Sequence, residues 1–152
     1  MKVNDRYCSF YYENDDDYGT IEIEPEKTAL LIIDAEYACV KRPQPENPSP
    51  AELENIARWE PFYEKYDKVI IPNLQRLISL CRRTGIEVTY AKIQGFKSNG
   101  RDRSLDQKVS GFNQFLVTSG DHRGDIIQEI APQKEDIVVT KTTDSALTGT
   151  NL

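Results

Sequence analysis

Three short, strongly apolar segments interrupt a chain that is otherwise rich in charged residues. They are ALLIID at 29–34, IEVTYAKI at 86–93 and DIVVTK at 136–141. Runs of this length that are rich in Ile, Leu and Val are typical of strands buried on both faces of a parallel sheet. Between 69 and 83 the apolar positions instead recur every three or four residues, which predicts an amphipathic helix that ends at Gly85. The order strand, helix, strand predicts a right-handed parallel crossover.

Weaker patterns fill the intervals between these elements. Apolar and acidic residues alternate in TIEIEPEKT at 20–28, which predicts a short edge strand followed by a turn. GDIIQEIA at 124–131 predicts a short helix. A proline-rich segment after the first strand predicts a long loop, a candidate lid, within which Ser49 and Glu52 have the spacing of a helix capping box. Residues 1–20 predict an irregular lead-in.

Composition limits the class of protein and its partners. The 152 residues, 38% of them hydrophobic, are enough for one domain without disulfides. A net charge of −6 argues against a sequence-independent nucleic-acid binder. No apolar run approaches the roughly 20 residues that span a bilayer, and the N-terminus lacks the apolar core of a secretory signal. We therefore expect a cytoplasmic protein whose partner is neither nucleic acid nor membrane.

The cysteines and the histidine argue against a metal site. Cys8, Cys39 and Cys81 are odd in number and widely separated, a pattern that favours reduced thiols. His122 is the only histidine of the sequence, which excludes a centre built from several histidines of this chain. We predict no metal and no other cofactor.

Asp34 and Lys141 are the residues that most clearly indicate chemistry. Each is the charged last residue of an apolar segment, and open α/β sheets bind their ligands at the carboxyl ends of the strands. The two side chains could therefore share one pocket. The structural alternatives are a loop cap for Asp34 and a solvated strand-end charge for Lys141.

Several segments together resemble the isochorismatase-like cysteine hydrolases. The similar stretches are ALLIIDAEYA, VIIPNLQRLISLCRRTGIEVTYAKIQ and GDIIQEIAPQKEDIVVTKTTDSALTGTNL, in the family's order. GRDRSLDQK also resembles a stretch of ureidoacrylate and peroxyureidoacrylate amidohydrolases. The resemblance implies a three-layer α/β/α Rossmann-like parallel sheet, of which residues 1–152 would form the N-terminal portion of a single, C-terminally incomplete domain.

The resemblance also implies an activity. It predicts a hydrolase that cleaves a C–N bond of a small linear amide, ureide or carbamoyl compound through a cysteine thioester. Asp34 would be the general base and Lys141 the stabiliser of the thiolate and transition state. None of the three cysteines matches the family nucleophile, so we expect that cysteine beyond Leu152 and expect the 152-residue chain alone to be inactive.

Substrate contacts and assembly are less sharply indicated. Glu36 and Tyr37 stand where the family commonly carries glutamine and asparagine, and we predict that Tyr37 contacts substrate, although solvation in the loop is an equal alternative for both. Gln94 follows the second strand and is a second candidate substrate contact. We also expect a homo-oligomer.

Two other functions fit parts of the pattern. A non-catalytic binding or assembly module built on a truncated hydrolase fold would explain why no nucleophile is recognised. A phosphoacceptor receiver domain also places an aspartate and a lysine at strand ends, but the acidic pair expected beside the acceptor is missing here.

Overall fold

The centre of the protein is a parallel sheet of three strands, seen in a computed structural model that describes residues 9–12, 22–109, 116–148, 150 and 152. β1 is Ala29–Ile33, β2 is Glu87–Ile93 and β3 is Ile137–Lys141, and the strand order is β1-β2-β3. Ile33 is paired with Ala91, and Ile93 is paired with Lys141. The three predicted strands and the α/β class are confirmed.

Helices connect the strands. The described residues form α1 at Tyr37–Val40, α2 at Pro50–Lys65, α3 at Ile71–Thr84 and α4 at Leu105–Lys108, with a π-helical turn at Tyr66–Ile70 between α2 and α3. The remaining helical turns are of the 3-10 type, at Phe10–Tyr12, Pro25–Lys27, His122–Gly124 and Gln128–Ile130.

Both predicted helix boundaries are confirmed. Ser49 and Glu52 form a complete capping box at the start of α2, so the N-terminal backbone of that helix has side-chain partners. Gly85 ends α3 with φ of 77°, in the left-handed region that glycine adopts at lowest cost. The amphipathic helix predicted between 69 and 83 thus includes part of the π-helical turn and nearly all of α3.

The hydrophobic core lies on one face of the sheet. Ile32, Val88 and Tyr90 pack there with buried residues of α3 and of the segment after 125. The opposite face is open at its edges, where Leu31, Ile33 and Ile137 are 36%, 50% and 48% exposed. The prediction of strands buried on both faces is therefore wrong for β1, because side chains alternate between faces and the core cluster covers only one of them. It is also wrong for β3, where Val138, on the face of Tyr90, is 42% exposed.

Two weaker predictions are corrected. Glu22 forms only a single bridge and Pro25–Lys27 is a 3-10 turn, so the turn of the 20–28 segment is confirmed but no strand forms among its described residues 22–28. The helix predicted at 124–131 is limited to a 3-10 turn at Gln128–Ile130. There the backbone bonds across to the turn after β1, with Ile127 N donating to Ala35 O at 3.0 Å.

Only residues 9–12 of the predicted lead-in are described, and they include the exposed Phe10 and Tyr11. The rest of that prediction lies outside the described residues.

Candidate active site

The candidate site begins where β1 turns out of the sheet at Asp34. Its N–H donates to Ala91 O at 3.0 Å, which extends the β1–β2 ladder by one residue. Its φ is 55°, in the left-handed region that aspartate enters more readily than most non-glycine residues. This conformation ends the strand and places the Asp34 side chain at the carboxyl edge of the sheet.

Lys141, the last residue of β3, reaches across to Asp34. Lys141 Nζ lies 2.9 Å from Asp34 Oδ1 and 3.4 Å from Thr143 O. The two charged atoms are within ion-pair distance. The Lys141 side chain is 0% exposed, whereas that of Asp34 is 44% exposed. A buried ammonium is costly without a counter-ion, so Asp34 is the group that makes this position tenable for lysine.

The exposed part of Asp34 does not include Oδ1, because that atom is buried. Solvent therefore contacts the rest of the Asp34 side chain, which includes Oδ2. The carboxylate is thus oriented, with one oxygen against the ammonium and the remainder facing the open edge of the sheet. An oriented carboxylate with an accessible oxygen can accept a proton from a group bound at this edge.

Glu36 is a second acid in the same turn. The alternative that it is solvated in the loop is wrong, because the residue is only 1% exposed. Glu36 Oε1 accepts a hydrogen bond from Ile93 N at the end of β2, whereas Oε2 has no hydrogen-bond partner among the described residues. Burial raises the pKa of Glu36, the bond from Ile93 opposes that rise, and the negative charge of Asp34 adds to it. The sequence feature that could have pointed to Glu36 as part of the site is an acidic residue two positions after the strand-end Asp34.

Cys39 lies in α1 close to these acids. Burial raises the pKa of its thiol to about 12, the negative charges of Glu36 and Asp34 add to the rise, and Lys141 opposes it. The thiol is therefore protonated at neutral pH and is a poor nucleophile. Cys81 is buried in the hydrophobic core, and Cys8 lies outside the described residues. This environment supports the expectation that Cys39 is not the nucleophile.

The family follows from comparison with known proteins. A family model described as "Isochorismatase domain" matches residues 28–152, which is most of the chain and includes Asp34 and Lys141. The chain belongs to the isochorismatase family. A curated relative called "Isochorismatase", from Bacillus subtilis (strain 168), is 36% identical over 80 residues, which are 53% of this chain and 24% of the relative.

Solved structures have the same isochorismatase-like fold. A cysteine hydrolase from Pseudomonas syringae pv. phaseolicola 1448A is 20% identical with a TM-score of 0.61, over 84% of this chain and 52% of that one. An isochorismatase family protein from Burkholderia thailandensis is 18% identical with a TM-score of 0.57, over 86% and 57%. An N-carbamoylsarcosine amidase from Thermoplasma acidophilum is 21% identical with a TM-score of 0.53, over 83% and 58%. The chain thus spans about half the length of these structures.

In this isochorismatase-family chain, Tyr37 and Gln94 are both held near the strand-end residues. The Tyr37 hydroxyl accepts a hydrogen bond from Gln128 N at 3.2 Å. Gln94 is 7% exposed, its N–H donates to Lys141 O at 3.0 Å, and its Nε2 donates to Thr118 O at 3.0 Å. A Cβ at Gly124 would lie 2.8 Å from Gln94 Nε2, so glycine makes room for this amide. Substrate contact by either side chain stays a prediction.

Among the described residues, no three His, Cys, Asp or Glu side chains are grouped so that they could hold a metal ion. His122 is exposed, and its ring centroid lies 6.2 Å from that of Tyr37. No helix in the described part of the chain is long and apolar enough to cross a membrane.

Proposed function

We propose that this sequence forms part of a hydrolase that cleaves the C–N bond of a small linear amide, ureide or carbamoyl compound. The observation that carries the proposal is the ion pair between Lys141, fully buried, and Asp34, partly accessible, at the carboxyl edge of a parallel sheet. Membership of the isochorismatase family supports hydrolysis. The names of two structural neighbours, a cysteine hydrolase and an N-carbamoylsarcosine amidase, are consistent with this chemistry.

The proposed reaction begins with a cysteine thiol bound against the strand-end residues. A thiol of ordinary pKa, about 8.5, is mostly protonated at neutral pH. Asp34 accepts its proton, and the positive charge of Lys141 favours the thiolate that remains. The sulfur attacks the carbonyl carbon, the C–N bond breaks, and the leaving nitrogen takes a proton from Asp34. Water activated by Asp34 then hydrolyses the thioester and restores the thiol.

The nucleophile in this proposal is a cysteine outside the 152 residues, because by the family resemblance none of Cys8, Cys39 and Cys81 stands at the position of the nucleophile. Cys39 is unsuited because its pKa of about 12 keeps the thiol protonated. Cys81 is unsuited because it packs inside the core. The charge pair would serve a thiol delivered to the accessible side of Asp34.

Tyr37 and Gln94 are the proposed substrate contacts. The Tyr37 oxygen accepts a bond from Gln128 N, and a phenol that accepts can still donate its own proton to a carbonyl oxygen. The Gln94 amide donates through Nε2 to Thr118 O, and its carbonyl oxygen is of the type that accepts an N–H of an amide or ureide.

The test is a turnover assay on the natural polypeptide that contains this sequence, with a panel of linear amides, ureides and N-carbamoyl compounds. We expect ammonia or amine release from at least one class. Asp34→Asn and Lys141→Met should each lower kcat/KM by about a thousandfold, the scale of loss when a general base or a charge-stabilising group is removed. Glu54→Gln, at an exposed position of α2, is the matched control and should leave kcat/KM unchanged.

If a folded protein of known mass turned over none of these compounds, the hydrolase proposal would be rejected. The open face of the sheet, with Ile33 50% and Ile137 48% exposed, favours the binding or assembly module as the second candidate. Light scattering on the same preparation separates the two. An inactive protein that forms a defined oligomer through this face would establish the assembly role.

A further inference from the structure

Glu36 connects the three strand ends that form the candidate site. Its Oε1 accepts the N–H of Ile93, and Ile93 is the β2 residue paired with Lys141 of β3. Glu36 itself lies two residues after Asp34. One side chain therefore joins the turn that carries Asp34 to the strand end that is in register with Lys141, the partner of Asp34 in the ion pair.

The surroundings of Glu36 suit a neutral carboxyl group. Its side chain is buried, and its Oε2 has no hydrogen-bond partner among the described residues. None of the ion pairs within the described part of the chain includes Glu36. An ionised carboxylate without a cation is expensive to bury, whereas the protonated form is much less so.

The titratable groups around Glu36 come from four elements. Asp34 follows β1, Cys39 lies in α1, Tyr66 is in the π-helical turn and Lys141 ends β3. Asp34 acts against ionisation of Glu36, and the Cys39 thiol acts in its favour. The single positive charge of the set, on Lys141, is already in contact with Asp34 at 2.9 Å.

We propose that Glu36 is a positioning residue that works in its protonated form, holding the end of β2 to the Asp34 turn without adding a second negative charge beside Lys141. The burial-driven rise in its pKa agrees with this role. The inference rests on the proposed function only in treating Asp34 and Lys141 as the working pair.

The first measurement is the titration of side-chain carboxyl groups by carbon NMR on the natural polypeptide that contains this sequence, and it needs no turnover. The wild-type Glu36 carboxyl should titrate clearly above its ordinary value of 4.5. A Glu36 midpoint at or below 4.5 would overturn the proposal.

The second measurement separates positioning from simple core packing. Glu36→Gln keeps an oxygen for Ile93 N–H, so the Ile93 amide shift and the Asp34 carboxyl shift should both resemble the wild type. Glu36→Ala removes that oxygen, so both shifts should move. If Glu36→Ala does not fold, the titration of Glu36 in the wild type still decides the proposal. An Asp34 signal that is unchanged in a folded Glu36→Ala would contradict positioning.

Stability gives a third readout, with a defined sign. Unfolded Glu36 loses its proton near pH 4.5, whereas folded Glu36 keeps it to higher pH. Raising the pH above about 4.5 therefore favours the unfolded wild type until the folded carboxyl also ionises. The Tm of Glu36→Gln should rise relative to that of the wild type as the pH increases across this range. A difference in Tm between the two proteins that stays constant with pH would contradict the proposal. Glu54→Gln removes the same group from an exposed position and controls for the change in charge.

Discussion

Two regions of the molecule contain charged side chains in close contact, but the charges of one region are partly exposed and those of the other are mostly buried. The Arg42 cluster consists of Lys41, Arg42, Glu60, Asp67 and Glu129. Its side chains are between 25% and 44% exposed. Arg42 donates to both oxygens of Glu60 and, at 2.7 Å, to Asp67, while Lys41 lies 2.6 Å from Glu129. Solvent and several partners share the charge in this region.

The strand-end site consists of Asp34, Glu36 and Lys141, and there the charge is concentrated. Lys141 has a fully buried side chain, Glu36 is 1% exposed, and two carboxyl oxygens have no hydrogen-bond partner among the described residues. Buried polar groups are normally satisfied, so a change at any of these three side chains should have a large effect. The difference teaches that burial, rather than the number of ion pairs, decides how much depends on one contact between charges.

The largest expected effect concerns the reactivity of Cys39. With a pKa of about 12, its thiolate fraction at pH 8 is about one in ten thousand, so alkylation by iodoacetamide should be at least about 100-fold slower than for an ordinary thiol. Native-state labelling followed by peptide mass spectrometry measures this rate.

Two controls accompany that measurement. A Ser98→Cys variant supplies an exposed thiol at a loop position of the same chain, and labelling in denaturant gives the rate of Cys39 without its surroundings. If native Cys39 reacted as fast as the introduced cysteine, burial and the charges of Glu36 and Asp34 would not suppress its thiolate, and its exclusion as nucleophile would fail.

The next effect is on stability and tests the strand-end site directly. Asp34→Ala leaves the buried ammonium of Lys141 without its counter-ion, which we expect to lower the free energy of unfolding by about 2 to 3 kcal/mol. This range lies below the usual cost of breaking a buried pair because the Asp34 side chain is 44% exposed. Urea denaturation followed by circular dichroism measures it.

A double-mutant cycle identifies the cause of that loss. Adding Lys141→Met to Asp34→Ala removes the unpaired charge and keeps most of the side-chain volume, so part of the stability should return. We expect a coupling energy of at least about 1 kcal/mol. Strictly additive losses would mean that the 2.9 Å contact contributes nothing to the fold.

The strands and the strand-end pair could be predicted from the sequence because the patterns that indicate them are local. An apolar run followed by Asp34 or Lys141 requires no knowledge of the partner strand, and the parallel register then brings the two ends to one edge. The glycine at 85 similarly marks a helix end through backbone conformation alone. Pattern and propensity suffice where the determining interaction lies within a few residues.

The role of Glu36 was not accessible in this way, because its burial depends on contacts that are distant in sequence. Ile93, which donates to it, lies 57 residues further along the chain. The same cause explains why the helix predicted at 124–131 does not form in full, because the N–H of Ile127 donates to Ala35 O. In both cases a backbone group of the β1 turn or of β2 replaces the local partner that the pattern assumes.

The smallest expected effect belongs to the Arg42 cluster, despite its many hydrogen bonds. Arg42→Ala should lower Tm by less than half as much as Asp34→Ala, because half-exposed ion pairs gain little over their hydrated separate charges. The loss should shrink in 1 M NaCl, where screening acts over about 3 Å, while the loss from Asp34→Ala should persist, since Lys141 is shielded from solvent. Arg58→Ala, at an exposed position of α2, controls for the removal of a positive charge. An Arg42→Ala loss that equals that of Asp34→Ala and resists salt would erase the distinction between the two regions, because exposed and buried charge would then contribute alike.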